Sequence, residues 1–285
     1  MNTAGGPSVV VTGASTGIGE ATALHLDRCG WRVFAGVRRS ADAQRLQAAA
    51  SPRLTALTLD VSDGASIAAA CAAVDEQLRG SGLGGLVNNA GISGGDPLEF
   101  TPLDSLRTML EVNLVGLVAT TQAFLPLLRR NQGRIVCIGS IGGRTPVPFT
   151  AAYAASKAAV AAVCDCLRLE LRPWRIRVAL VEPGSVATPI WEKGLSEFDE
   201  KAAAYPADAI ELYGAAMTPM RKATERAARS GIAPARVARV VEHALTSSRP
   251  RTRYLVGRDA RMQAVARRLP DRARDRLIGR VIGLP

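Results

Sequence analysis

Three side chains in the middle of the sequence have the types and the spacing needed for proton transfer. Tyr153 and Lys157 are four residues apart in a helical pattern, so the phenol and the ammonium share one helix face. A phenol ordinarily titrates at about pH 10, and a nearby cation favours the phenolate and lowers that pKa. Ser140 ends a predicted strand shortly before them. A Tyr and a Lys at this spacing are common by chance, so the pair needs support from the rest of the chain.

A glycine-rich segment near the N-terminus provides that support. Gly13, Gly17 and Gly19 lie between the first predicted strand and the first predicted helix. Glycine lets a backbone turn sharply or approach a pyrophosphate closely, and the following helix N-terminus offers amide donors. The segment is therefore either a tight structural turn or a dinucleotide loop, and its position directly after the first strand favours the loop.

The residues after the second predicted strand indicate which dinucleotide is bound. An NAD site usually has an acidic residue there to accept hydrogen bonds from the ribose hydroxyls. This sequence has Val37, Arg38 and Arg39 instead. Two guanidinium groups suit a 2′-phosphate, which predicts NADP(H) in preference to NAD(H). The alternative is two solvated arginines in an arginine-rich chain.

The elements that must position these residues alternate between strand and helix. Strand patterns are predicted at 8–12, 32–37, 54–59, 85–88, 134–138, 176–181 and 253–256, with helical patterns between most of them and one long helix at 103–130 that Pro126 interrupts. This alternation predicts an α/β Rossmann fold, in which helices cover both faces of a doubly wound parallel sheet of about seven strands.

The alternation of strands and helices stops between residues 183 and 233, where we predict short helices separated by prolines. We interpret residues 185–233 as a substrate lid within one catalytic domain, 1–257, which a basic helical extension follows at 258–285. The lid carries apolar residues that either cover a lipophilic substrate or pack the lid onto its own domain. They are Ile190, Trp191, Leu195, Phe198, Tyr205, Ile210, Leu212, Tyr213, Met217 and Met220.

Composition excludes several other classes of protein. Five scattered cysteines and two histidines match neither a disulfide framework nor a zinc signature, so we expect no metal site. The first residues lack the cationic start and apolar run of a signal peptide, which predicts a cytoplasmic protein. The apolar stretch 112–128 contains Asn113, Gln122 and Pro126, and we interpret it as a buried helix.

The positive charge is concentrated at the C-terminal end. The chain carries a net charge of +11, and residues 221–285 contain 17 Lys and Arg against 5 Asp and Glu. This excess is either a solvated face or a peripheral contact with an anionic membrane surface. Nucleic acid is not expected, because the segment has few aromatic residues and no recognised reading motif.

Taken together, the motifs resemble the short-chain dehydrogenase/reductase family. The resemblance covers about residues 8–190 and follows the family's order. It rests on the glycine motif from Thr12 to Gly19, Asp60-Val61, Asn88-Asn89-Ala90-Gly91, Asn113, Ser140, Tyr153-x-x-x-Lys157 and Pro183-Gly184. It implies a Rossmann fold and hydride transfer between a nicotinamide cofactor and a carbonyl or alcohol carbon.

The resemblance also implies roles for individual residues. Tyr153 is expected to be the acid or base, with Lys157 lowering its pKa and Ser140 polarising the substrate oxygen. Asn113 is expected to anchor a water in a proton relay from Lys157. The cofactor is expected to contact Gly13, Ser15, Thr16, Gly17, Ile18, Gly19, Arg38, Arg39, Asp60, Val61, Asn88, Ala90, Gly91, Tyr153, Lys157, Pro183, Gly184, Val186 and Thr188. Within that set, Asp60 is assigned to the adenine and Asn88 to the adenosine ribose.

Residues 33–39 and 188–193 and the long C-terminal region are more loosely similar to 17β-hydroxysteroid and retinol dehydrogenases. That similarity implies a lipophilic steroid-like, retinoid-like or fatty carbonyl substrate. A reductase of small polar ketones and a dinucleotide-sensing regulator without turnover are the alternatives. The family also implies a homodimer or homotetramer assembled through the helices that begin near Leu103 and Ala151.

Overall fold

The computed structural model describes residues 6–282, and its centre is one seven-stranded sheet in which every strand pair is parallel. The strands are β1 (Ser8–Val11), β2 (Arg32–Val37), β3 (Leu54–Thr58), β4 (Gly85–Asn88), β5 (Arg134–Ile138), β6 (Arg177–Pro183) and β7 (Arg253–Val256). Their order across the sheet is β3-β2-β1-β4-β5-β6-β7. The order reverses between β1 and β4, and that switch point is where open α/β sheets bind ligands.

Eleven α-helices accompany the strands in the described part of the chain. They are α1 (Gly17–Arg28), α2 (Ser40–Ala48), α3 (Gly64–Leu78), α4 (Leu103–Leu110), α5 (Gly116–Asn131), α6 (Ala151–Glu170), α7 (Ile190–Ala204), α8 (Ala207–Ser230), α9 (Pro234–Thr246), α10 (Arg258–Ala266) and α11 (Asp271–Ile282). The doubly wound Rossmann fold that the sequence predicts is confirmed, and helices α10 and α11 follow β7 where C-terminal helices were expected.

The two faces of the sheet carry separate apolar cores. Along β1, Val9 and Val11 pack into the core that α1, α2 and α9 cover, whereas Val10 packs into the core under α3, α5 and α6. Side chains of successive strand residues point to opposite faces, so a strand covered on both sides must be apolar throughout. The unbroken valine run of β1 meets that requirement.

The region after β6 differs from the sequence prediction. The short helical pieces expected there are wrong, because α7 and α8 are long helices of 15 and 24 residues. Pro189 and Pro206 occupy the cap positions before these helices, where a missing amide donor costs no helical hydrogen bond. Pro219 is tolerated inside α8. In this region two of the prolines therefore precede long helices and do not divide the segment into short ones.

The long helix predicted at 103–130 is also organised differently. Pro126 lies inside α5 without ending it, and the irregularity is instead a π-helical segment, Glu111–Val115, between α4 and α5. By length and composition the run Leu103–Asn131 could cross a bilayer. Phe124 and Leu128 on α5 are nevertheless part of the core under the sheet. We therefore describe α5 as a helix whose inner face belongs to the core.

Candidate active site

A cleft of about 300 Å³ lies at the carboxyl edge of the sheet, over the β1–β4 switch point. Most of the predicted site residues line it, namely Gly13, Ser15, Thr16, Gly17, Ile18, Arg38, Asp60, Val61, Ala90, Gly91, Ser140, Tyr153, Lys157, Pro183, Gly184, Val186 and Thr188. Arg38 follows β2 and Ser140 follows β5, and three strand spacings separate these strands, which is about 14 Å. The cleft thus extends from Arg38 to Ser140, far enough to hold an elongated dinucleotide.

The glycine loop has the shape that a pyrophosphate requires. Gly13 and Gly17 have φ values of 63° and 61°, a backbone conformation that disfavours other residues. A Cβ on Gly17 would lie 3.0 Å from the Thr188 side chain, so a side chain there would narrow the cleft. Thr16, before α1, forms no side-chain cap, which leaves the first amides of α1 free for an anion. The residues present therefore fit a dinucleotide phosphate group.

Two residues that the sequence analysis did not assign to the site hold this loop in place. The Thr12 hydroxyl accepts hydrogen bonds from the amides of Asn89 and Ala90, each at 3.0 Å. The Asn89 amide group in turn donates to the carbonyls of Thr12 and Gly13 at 2.9 and 3.0 Å. These bonds join the ends of β1 and β4. Thr12 and Asn89 occur in the quoted motifs, but nothing in their spacing indicated that they bond each other.

At the other end of the cleft, only one of the two predicted arginines faces the site. Arg38 is exposed, lines the cleft, and forms no ion pair within residues 6–282. Arg39 does not line it, because its guanidinium is bonded to Asp42 at 2.8 and 3.3 Å. The expected pair of phosphate-binding arginines is thus reduced to Arg38. Hydrogen bonds from Ser62 lower the pKa of Asp60, which keeps this cleft-lining group a carboxylate.

Burial dominates the electrostatics at the Tyr153 end. It raises the pKa of Tyr153, and the neighbouring Ser140 hydroxyl acts in the opposite direction. It also lowers the pKa of Lys157 to about 8. The Lys157 Nζ donates to the Ile138 carbonyl at 3.1 Å and lies 5.9 Å from the centre of the Tyr153 ring. The structure therefore does not reproduce the expected lowering of the Tyr153 pKa by Lys157.

Asn113 lies behind the cleft wall, in the π-helical segment. Its side-chain oxygen accepts from the Ile92 amide at 2.8 Å, and its nitrogen donates to the Ile92 carbonyl at 2.9 Å and to the Ser156 hydroxyl at 3.0 Å. A Cβ on Gly91 would lie 3.1 Å from Asn113 Oδ1 and 3.4 Å from Lys157 Nζ. Both ends of the Asn113 amide are bonded to protein, and the expected water relay at this residue stays a prediction.

Two further predicted contacts lie away from the cleft. Asn88 is buried and donates to the Thr121 hydroxyl at 2.8 Å, between β4 and α5, so the residue expected beside the ribose supports the sheet instead. Gly19 is also outside the cleft. A Cβ there would lie 2.1 Å from the Gly13 carbonyl oxygen, so its role is to let α1 pack against the loop.

The predicted lid is attached to the loop that follows β4. Asp96 accepts from the Lys201 ammonium at 2.8 Å and from the Tyr205 hydroxyl at 2.6 Å, and Glu99 accepts from the Tyr213 hydroxyl at 2.8 Å. These polar contacts were not foreseen, because the acidic partners are about a hundred residues away in sequence. Of the ten apolar lid residues that the sequence analysis singled out, Ile190 and Trp191 line the cleft.

Comparison with known proteins places this architecture in a family. The sequence model described as short chain dehydrogenase matches residues 7–197. Human retinol dehydrogenase 16 is 38% identical over 259 residues, covering 89% of this chain and 81% of that protein. Bovine 17-beta-hydroxysteroid dehydrogenase type 6 is 39% identical, with 88% and 81% covered. The mitochondrial D-beta-hydroxybutyrate dehydrogenase of rat is 35% identical, with 88% and 77% covered.

Solved structures agree with this assignment. A short-chain dehydrogenase from Streptomyces avermitilis has a TM-score of 0.78 at 27% identity and covers 96% of both chains. A Burkholderia cenocepacia short chain dehydrogenase in complex with NADP has a TM-score of 0.73 at 26% identity, with 99% of both chains covered.

The chain therefore belongs to the short chain dehydrogenase family. It is an oxidoreductase that interconverts carbonyl and alcohol groups with a nicotinamide dinucleotide.

The Thr12 hydroxyl offers a direct test of how the cleft is held. Thr12→Val should lower the free energy of unfolding by about 1–3 kcal/mol and weaken dinucleotide binding, because two partly buried amides lose their acceptor. Thr120→Val is the matched control, since Thr120 is fully buried and its hydroxyl has no hydrogen-bond partner in the described structure. The control should not lower stability, because it removes a buried hydroxyl that has no partner. Urea unfolding and cofactor titration measure both effects, and equal losses in the two variants would contradict this role.

Proposed function

We propose that this protein is an NADP(H)-dependent oxidoreductase that acts on the carbonyl or alcohol group of a lipophilic substrate, with Tyr153 as the acid or base. The observation that carries the proposal is the presence of Ser140, Tyr153 and Lys157 in the same cleft as the glycine loop. Their shared cleft supports roles for Tyr153 as proton donor, Ser140 as the hydroxyl that holds the substrate oxygen, and Lys157 as the nearby cation.

The mechanism requires one proton in addition to the hydride that a bound nicotinamide exchanges with the substrate carbon. In reduction, the Ser140 hydroxyl holds the substrate oxygen, and Tyr153 donates its phenolic proton to that oxygen as the alcohol forms. A raised pKa keeps the phenol protonated at neutral pH, so Tyr153 is ready to act as the acid. The Lys157 ammonium, charged below about pH 8, then stabilises the phenolate and returns a proton to it. Oxidation of an alcohol uses the same groups in reverse.

Within this mechanism we assign Asn113 a positioning role. Its amide fixes the Ile92 backbone, which lines the cleft, and the Ser156 hydroxyl, which is one residue from Lys157. Asn113 therefore couples the loop after β4 to the helix that carries the proton donor.

Removing the phenolic hydroxyl tests the central assignment. Tyr153→Phe should lower kcat by about 100-fold or more, because it deletes the proton donor, while dinucleotide binding stays within about twofold. Tyr254→Phe serves as the control, since Tyr254 lies on β7 outside the cleft. Steady-state rates and cofactor fluorescence titrations measure the two quantities. Retained turnover in Tyr153→Phe would rule out Tyr153 as the acid.

The preference for NADP(H) rests on Arg38. Its guanidinium lies at the end of the cleft after β2, and the residues directly after that strand, Arg38 and Arg39, include no carboxylate to accept from ribose hydroxyls. An exposed guanidinium that pairs with no acid among the described residues can form charge-assisted hydrogen bonds with a 2′-phosphate. Arg39 contributes less, because Asp42 already holds it.

The neighbouring arginines provide a matched pair of variants. Arg38→Ala should raise the KM for NADP(H) by about 10- to 100-fold and leave that for NAD(H) within a few-fold, because only the 2′-phosphate loses a partner. Arg39→Ala should change either constant by less than about threefold. Michaelis constants for both nucleotides check this. A wild-type preference for NAD(H), or equal effects of the two substitutions, would overturn the proposed cofactor preference.

A lipophilic substrate is favoured by the relatives and by the cleft wall. Retinol and 17-beta-hydroxysteroid dehydrogenases are among the most similar proteins, and Ile190 and Trp191 at the start of the lid line the cleft. A small polar carbonyl compound is the second candidate, because D-beta-hydroxybutyrate dehydrogenase is nearly as similar.

A substrate screen with a lid variant separates the two candidates. NADPH oxidation with steroid, retinoid, fatty and small polar carbonyl compounds should show the highest kcat/KM for the apolar ones. Ile190→Ser should lower that value about tenfold, because the substrate loses apolar contact area. Ile210→Ser should have little effect, since Ile210 is exposed on the lid and does not line the cleft. Activity confined to small polar compounds would establish the second candidate.

We further propose a homodimer or homotetramer that forms through the helices beginning at Leu103 and Ala151. Large apolar side chains are exposed on this part of the surface, with Leu103 at 63% and Leu169 at 66% of full exposure. Burial of such side chains between subunits is favourable. Light scattering coupled to gel filtration tests this, and a monomer at micromolar concentration would refute it.

For the C-terminal helices we propose peripheral contact of a cytoplasmic protein with an anionic membrane. Met262, Val265 and Leu269 are exposed in and beside α10, and exposed arginines such as Arg267 and Arg268 lie among them. Apolar side chains flanked by cations suit the interface of an anionic bilayer. Sedimentation with anionic vesicles should show binding that falls as salt rises, and binding independent of salt would contradict the proposal.

A further inference from the structure

Three side chains of metal-binding types converge outside the cleft, between α1 and α9. They are His25 in the last turn of α1, Cys29 at the C-cap that follows α1, and Glu242 on α9. His25 Nε2 lies 2.7 Å from Glu242 Oε2 and 3.8 Å from Cys29 Sγ, and the three donor atoms are all within 4.8 Å of one another. None of the three lines the cleft. The cluster therefore has no part in the carbonyl chemistry proposed above.

The core fixes the positions of these side chains. Cys29 caps the C-terminus of α1 four residues after His25, and its amide donates to the His25 carbonyl at 3.0 Å, which keeps both side chains on one side of the helix end. Glu242 is brought to that face because α9 packs along α1, with Leu26 of α1 and Val241 of α9 buried in the same core. The separation of 217 residues between His25 and Glu242 explains why no spacing in the sequence indicated the cluster.

The donor set matches zinc in geometry and charge. Zinc binds imidazole nitrogen, thiolate sulfur and carboxylate oxygen at about 2.0–2.3 Å in tetrahedral sites, so pairs of donors lie about 3.5 Å apart. The observed separations of 2.7 and 3.8 Å fall on either side of that value. A neutral imidazole, a thiolate and a carboxylate together carry two negative charges, which one divalent cation neutralises. An ion can also enter, because the His25 and Glu242 side chains remain 20% and 33% exposed.

Binding of a cation would displace the Cys29 thiol proton to solvent as the sulfur–metal bond forms.

We propose that His25, Cys29 and Glu242 form a zinc-binding site with three protein ligands, and that a water completes the coordination. The site ties the C-terminal turn of α1 to α9, on the opposite end of α1 from the glycine loop. The competing interpretation is a hydrogen bond between His25 and Glu242 with a bystander cysteine.

Cobalt(II) is the probe that separates these interpretations. The reduced, metal-free full-length chain should bind one Co²⁺, with the near-ultraviolet charge-transfer absorption of a thiolate–cobalt bond, and Zn²⁺ should displace the cobalt and abolish the absorption. Cys29→Ser should lose this absorption, and Glu242→Gln should weaken Zn²⁺ binding by about 100-fold in calorimetry, since loss of even an outer partner of a metal ligand costs about 10–100-fold. Cys166→Ser is the matched control, because Cys166 is also an exposed free thiol but lies on α6.

These binding measurements test the metal site without any measurement of enzyme turnover. Zinc should also raise the Tm of the wild type and of Cys166→Ser with the logarithm of its concentration above the dissociation constant, and leave the Tm of Cys29→Ser unchanged. No thiolate–cobalt absorption in the wild type, or the same absorption in Cys29→Ser, would overturn the site. Because the assays report binding and not catalysis, failure here leaves the proposed oxidoreductase function unaffected.

Discussion

Close approach of the backbone at the junction of β1 and β4 is the constraint on which the cleft depends. A Cβ on Gly13 would lie 2.7 Å from Ala90 Cα, so the two segments touch without intervening side chains. The Thr12 hydroxyl then closes the junction through two amides. The same segment passes close to Lys157 at Gly91. The glycine loop and Lys157 are therefore held together by one set of close backbone contacts.

Burial has opposite effects on the two titratable groups at the Tyr153 end of the cleft. It disfavours the charged form of each, so the pKa of the Tyr153 phenol rises while that of the Lys157 ammonium falls. The phenol therefore holds its proton more strongly than the lysine does. In the proposed mechanism this order lets Lys157 return a proton to the Tyr153 phenolate. The electrostatic bias arises from packing, and no close contact between the two side chains is needed.

Much of this site could be predicted from sequence because its parts are local. The glycine loop, the Tyr153 and Lys157 pair and the strands beside them depend on spacings of a few residues, and periodicity identifies the strand ends that carry them. The contacts of Arg39 and Asn88 could not be predicted, because each side chain has several possible hydrogen-bond partners and the fold decides which one lies within reach. Arg39 donates a hydrogen bond to Asp42, and Asn88 donates one to the Thr121 hydroxyl. The length of the lid helices was missed because proline stands at a helix start as readily as at a break.

The π-helical segment Glu111–Val115 determines how α5 is rotated about its own axis relative to α4. Each residue of an α-helix turns the chain by about 100°, so one residue more or less in this segment would rotate α5 by that angle relative to α4. Phe124 and Leu128 now face the sheet, and such a rotation would carry them toward solvent. The number of residues in this segment is therefore fixed by the core, whereas a loop of similar length would tolerate an insertion or a deletion. An insertion or deletion that looks mild in an alignment would dismantle the core under β4 and β5.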